Sequence, residues 1–123
     1  MTIIEAINKV DALKPNSFSQ DDKIGWLSKL DGIIKSEVID THEGAEDIVF
    51  VGYDSDTSLS TELLVPAPHD ELYIRWLEAQ IDYANSDINR YNNGMAMYNA
   101  ALGAFEKHYN RMHMPKGNKF KYF

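Results

Sequence analysis

Apolar positions recur along this chain in two different rhythms. From Ile74, alternate steps of three and four residues land on Leu77, Ile81, Ala84, Ile88, Tyr91, Met95, Tyr98, Leu102, Phe105, Tyr109 and Met112. Such spacing lines one side of an α-helix. It predicts one long helix over 68–113, a rod of about 60 Å at ~1.5 Å per residue. That is more apolar ridge than a chain of this length needs to cover itself. Two shorter stripes precede it. One is Ile3, Ile4, Ile7, Val10 and Leu13; the other is Ile24, Leu27, Leu30, Ile34 and Val38, flanked by Trp26, Ile33 and Ile39. Between these stripes and the ridge the rhythm changes. Ile48–Tyr53 and Leu59–Val65 are short β-type runs around the turn residues Asp54-Ser55-Asp56-Thr57, which predicts a β-hairpin over 48–65.

Start and stop signals sharpen these elements. Thr2 and Glu5 match a capping box, and Pro15-Asn16 ends the first helix near Lys14. Ser19 is the next N-cap, with Asp21 and Asp22 in the first turn and Phe18 placed to staple onto Ile24 or its neighbours. The second helix stops near Asp40 to His42. Pro66-Ala67-Pro68 stiffens the approach to the long helix, and His69 or Asp70 caps it. The weak point of that helix is Asn92-Asn93-Gly94, where a reversal would give two helices of about 20 residues and a four-helix bundle. Continuity, with a kink at Asn92–Gly94, is favoured because the ridge keeps step across those residues. The expected fold is therefore mainly α in a single domain. It has two short helices in 1–42, a small hairpin in 48–65, a long helix in 68–113 and an arm in 114–123.

Composition changes this picture little. The chain has 123 residues, 44% of them hydrophobic, and no cysteine, which excludes disulfides and thiolate metal sites. The missing cysteine fits a reducing, cytoplasmic setting, and neither a membrane span nor a signal peptide is read in the sequence. The net charge of -7 argues against phosphate binding, since only Lys116, Lys119 and Lys121 gather positive charge. The plain reading of the acidity is solubility; the sharper one is an acidic surface that DNA passes without sticking.

Catalytic patterns are missing. No phosphate loop or nucleophile elbow is present. His42-Glu43-Gly44-Ala45-Glu46 lacks the second histidine of a zinc helix, and His108 and His113 are five apart, off a common helical face. Asp82 and Asp87 read as solvated. Glu43, Glu46 and Asp47 lack the calcium-loop pattern. No enzyme activity, cofactor or metal is expected.

The surfaces beside the ridge are more telling. Asn85, Asn92 and Asn99 recur every seven residues. Ala96, Ala100, Ala101, Gly103 and Ala104 make the C-terminal half small nearly all round, so another backbone can approach. Lys119-Phe120-Lys121-Tyr122-Phe123 alternates basic and aromatic side chains, as an extended arm does when it lays Phe120, Tyr122 and Phe123 onto a partner. The candidate interface is thus Asn85, Asn92, Asn99, Ala96, Ala100, Gly103, Phe120, Tyr122 and Phe123.

Four segments carry a family resemblance: Leu64–Tyr73 (LVPAPHDELY), Ala79–Asn85 (AQIDYAN), Arg90–Asn93 (RYNN) and Tyr109–Pro115 (YNRMHMP). Together they resemble small phage and prophage proteins of the head–tail connector (adaptor) type. The likeness covers roughly the C-terminal two fifths, and His69 stands where an aromatic such as tyrosine is expected. It implies a helical virion-assembly subunit that forms a ring of about a dozen copies beneath the portal. Such a ring extends the DNA channel and meets a neck or tail-completion protein, with passing DNA not specifically bound. The implied location is the virion neck, after assembly in the host cytoplasm. The alternative is a small phage-encoded regulatory module that binds a host protein.

Overall fold

In the computed structural model, which describes residues 1–116, helix α1 (Ile3–Leu13) starts on its expected capping box. The Thr2 hydroxyl accepts the Glu5 amide at 3.2 Å, and the Glu5 carboxylate accepts the Thr2 amide at 2.8 Å. Helix α2 (Gln20–Ile34) starts on Ser19, whose hydroxyl accepts the Asp22 amide at 3.1 Å. It runs on through a π-helical turn, Lys35–Ile39. Phe18 staples onto Trp26, edge to face at 5.6 Å. Ile3, Ile7 and Val10 of the first stripe are buried, as are Ile24, Leu27, Leu30, Ile34 and Val38 of the second. Leu13, counted with the first stripe, is exposed at the helix end.

Two ion pairs clip α1 in place. Lys23 is almost fully buried. Its Nζ donates to the Phe18 carbonyl and lies 2.9 Å from the Asp11 carboxylate, closing the α1–α2 connector. Lys14 donates to both oxygens of Asp82 at 2.8 and 2.7 Å, tying the end of α1 to a later helix. Asp82 is therefore a buried, paired carboxylate and not the solvated one the sequence suggested.

The long helix is overturned. Residues 71–112 form two helices, α3 (Glu71–Ala84) and α4 (Ile88–Met112), which pack as an antiparallel pair. Their facing rings fix the register: Tyr83 meets Tyr91, Trp76 meets Tyr98, and His69 meets Phe105. The reversal falls at Asn85-Ser86-Asp87, upstream of the suspected site. Asn85 ends α3, Ser86 takes a left-handed φ of 61°, and the Asp87 carboxylate accepts the Arg90 amide to start α4. The connector is nearly one helical turn long, so the apolar spacing passes through it undisturbed. Asp70, at the start of α3, makes no side-chain capping bond.

Helix α3 is the centre of the bundle. It packs on α1 and α2 on one side and α4 on the other, and eight of its residues are buried. Helix α4 lies outside it and buries only Tyr98, Phe105 and Tyr109 among its 25 residues. Asn92-Asn93-Gly94 is uninterrupted helix there. A Cβ on Gly94 would sit 3.4 Å from the Cβ of Ala79 and 3.6 Å from its Cα, so an alanine fits in ordinary contact there and a larger side chain meets α3.

The β-hairpin is also absent; the described residues contain no strand, only two isolated bridges. The predicted turn does form, with the Thr57 amide bonded to the Asp54 carbonyl at 3.1 Å. Its two arms, however, take different partners. Residues 59–63 pair with the N-terminus: Ile3 and Ile4 amides donate to Thr61 and Leu59 carbonyls, and Leu63 donates to Met1. Residues 50–53 lie along α2, where the Tyr53 amide donates to Ser28 Oγ at 2.9 Å and Phe50 approaches Gly32. Gly52, at φ 88°, bends the chain just before Tyr53.

Helix spacing gives a test. Gly94→Leu must force α3 and α4 apart and should cost about 1–3 kcal/mol in urea unfolding. Gly94→Ala should be neutral or gain up to about 1 kcal/mol from helix propensity. A leucine variant as stable as the parent would contradict the close approach.

Candidate functional site

The 48–65 crossover is held by a side chain rather than by a sheet. Asp31 of α2 is fully buried. Its carboxylate accepts the Tyr53 and Tyr73 hydroxyls, each at 2.6 Å, and the Leu64 amide at 3.1 Å. The Tyr73 oxygen in turn accepts the Val65 amide at 2.8 Å. Burial pushes the Asp31 pKa up, against the pull of these three donors. Burial and the adjacent carboxylate likewise hold both phenols protonated far above the ordinary tyrosine range. One buried oxygen pair thus joins α2, α3 and both arms of the crossover.

With its inner side occupied, the crossover turns an extended edge outward. Val49 is 79% and Val51 91% exposed, while Phe50 packs edge to face on Tyr53 at 5.1 Å. Among the described residues, no amide from Val49 to Gly52 bonds to a backbone carbonyl. A groove of about 280 Å³ runs along this edge between residues 49–53 and Thr57, Thr61, Glu62 and Leu64. A second cleft, near 200 Å³, holds the Lys14–Asp82 pair with Arg75, Glu78 and Arg90. Its cations each pair with a carboxylate: Lys14 with Asp82, Arg75 with Glu78 and Arg90 with Asp87.

The histidines form a third feature. All four sit in one chain of ring contacts at the C-terminal end of α4. His108 meets His69 at 4.9 Å, His69 meets Phe105, Phe105 meets Tyr109, and Tyr109 contacts both His42 and His113. His42 is buried, with Nδ1 at 2.6 Å from the Val38 carbonyl and Nε2 at 2.6 Å from Asn110. Beside it, Glu43 and Lys116 amides donate to Met114 and Thr41 carbonyls, fastening the chain after α4. These rings serve packing. Among the described residues no three histidine or carboxylate side chains converge as metal ligands.

Comparison with protein-family models, with curated proteins and with solved structures finds no match to this chain.

The expected interface residues scatter. Asn85 caps α3 at the reversal, so it no longer shares a helix with Asn92 and Asn99. Asn92, Ala96, Asn99 and Ala100 are exposed on the outward side of α4, joined by Met97 at 48% exposure. Gly103 is half-buried, yet a Cβ there would meet nothing within 4 Å. Phe120, Tyr122 and Phe123 lie outside the described residues. No helix among the described residues is long and apolar enough to cross a membrane. Sequence reasoning missed Asp31 altogether. Its only signal was an acid inside the apolar stripe, adjacent to Leu30.

Asp31→Asn should cost about 1–3 kcal/mol at neutral pH, because the side-chain oxygen that stays toward Leu64 and Tyr53 leaves an NH2 group in place of the acceptor of the Tyr73 hydroxyl. The sign of the pH effect follows from the raised pKa. Between the ordinary value of 3.8 and the higher folded one, the folded chain holds a proton that the unfolded chain has lost. Parent stability from this group therefore rises as pH falls through that window, and the gap to the variant widens. Chemical unfolding of both proteins from neutral pH toward pH ~4 reads it; a narrowing gap would mean a depressed pKa instead.

Proposed function

We propose that this chain is a structural, non-enzymatic assembly subunit. The specific form is that of a head–tail connector: copies ring the DNA channel beneath the portal and receive a neck or tail-completion protein, in the virion neck after assembly in the host cytoplasm. The observation that carries this reading is the outward face of α4. A 25-residue helix with only three buried positions, presenting alanines, asparagines and Met97 to solvent, is a poor cover for one small core. It is a good wall against an adjacent copy, since small side chains allow close approach and amides supply hydrogen bonds. Contacts of this head-to-tail kind close into a ring when the rotation permits. The segment likenesses at Leu64–Tyr73 and Tyr109–Pro115 add the connector role, and the net charge of -7 suits a passage for DNA that must slide.

Negative-stain imaging of the protein mixed with its portal tests this directly. Rings on the portal are expected, and Ala96→Arg/Ala100→Arg should abolish them while leaving the monomer folded, because both positions are exposed. Absence of rings and of portal binding at micromolar concentration would overturn the proposal.

A further inference from the structure

Charge along the chain is sharply segregated. From Ser36 to Ile74 there are ten carboxylates and no lysine or arginine; from Lys107 to Phe123 there are five cations and no carboxylate. The exposed Val49–Gly52 edge lies in the middle of the acidic stretch, with Glu46, Asp47, Asp54, Asp56 and Glu62 exposed around it. An extended segment with outward β-branched side chains and unpaired amides is a template for a further strand. In the segment Lys119-Phe120-Lys121-Tyr122 the residue types alternate, so that a strand pairing would put both lysines on one side and Phe120 with Tyr122 on the other.

We infer that the Lys119–Phe123 arm of one copy adds as a strand to the Val49–Gly52 edge of a second copy. Phe120 and Tyr122 enter the groove beside Thr61 and Leu64, and Lys119 and Lys121 face the acidic rim. The donor is assigned to a second copy by the self-assembly reading, and docking within one molecule is an outcome that the test below separates. The inference rests on the self-assembly part of the preceding reading and gives it a polarity: arm of one subunit, edge of the next. It needs neither the portal nor a closed ring.

The chain has no cysteine, so a single Gly117→Cys change carries a nitroxide label without competition. Full-length unlabelled protein bearing it, mixed with full-length ¹⁵N protein, should broaden the amides of Val49–Gly52 on the ¹⁵N chain as concentration rises. Lys119→Glu/Lys121→Glu in the donor should weaken this about tenfold or more. Val51→Asp in the acceptor, at a fully solvated position, should do the same without loss of fold. Broadening centred on α4, no intermolecular broadening at millimolar protein, or broadening confined to molecules that carry both labels would each overturn the inference. The outcomes separate from those of the portal experiment, because rings can fail while the arm still docks, and α4 can build rings without it.

Discussion

An ionisable group at full burial must find hydrogen-bond donors or lose its charge, and Asp31 finds three. Its partners are two phenols and one amide rather than a cation. Each lies on a different stretch of chain, so satisfying one carboxylate fixes Tyr53, Leu64 and α3 relative to α2. A buried network of this kind specifies a unique arrangement because every partial alternative leaves a polar atom unpaired. It also explains why two β-type segments do not pair with each other. Their inner groups are bound to α2 and α3, and the second arm completes its bonding with residues 1–4. What remains on the outside is an edge.

The bundle divides its labour between α3 and α4. Helix α3 is surrounded, and its buried face includes Tyr73, the second anchor of the Asp31 network. Helix α4 contributes one seam to that core and leaves the rest of its circumference free. The apolar ridge that reads as one overlong rod therefore folds back on itself; half of its residues are buried, and Ala84, Ile88 and Met112 are exposed at its turn and end. Surplus contact surface survives in two smaller places, the outward face of α4 and the Val49–Gly52 edge. Assembly, on this view, uses a wall and a socket rather than a continuous greasy strip.

Local signals were legible in the sequence wherever the chemistry is local. The Thr2–Glu5 box, the Ser19 cap, both N-terminal stripes and the Asp54–Thr57 turn all appear where their residues place them. Signals that depend on distant partners were not. The Asn85–Asp87 connector hides because it is about one turn long and keeps the ridge in phase; the exposed members Ala84 and Ile88 mark it only in three dimensions. Asn92-Asn93-Gly94 reads as a breaker, yet Gly94 lies inside α4 facing Ala79 of α3. The hairpin failed because Ile48–Tyr53 has β-type side chains but finds its partners on a helix. Of the described candidate interface residues, Asn92, Ala96, Asn99 and Ala100 lie exposed on α4.

Residue-resolved amide exchange in dilute protein tests the central claim, that a buried carboxylate rather than a β-ladder holds the crossover. The Leu64 and Val65 amides, bonded to Asp31 and Tyr73, should exchange as slowly as the core amides of α2, while Val49 to Gly52 exchange fast. Protection of alternate residues between Val49 and Gly52, with Leu64 and Val65 exchanging freely, would contradict it.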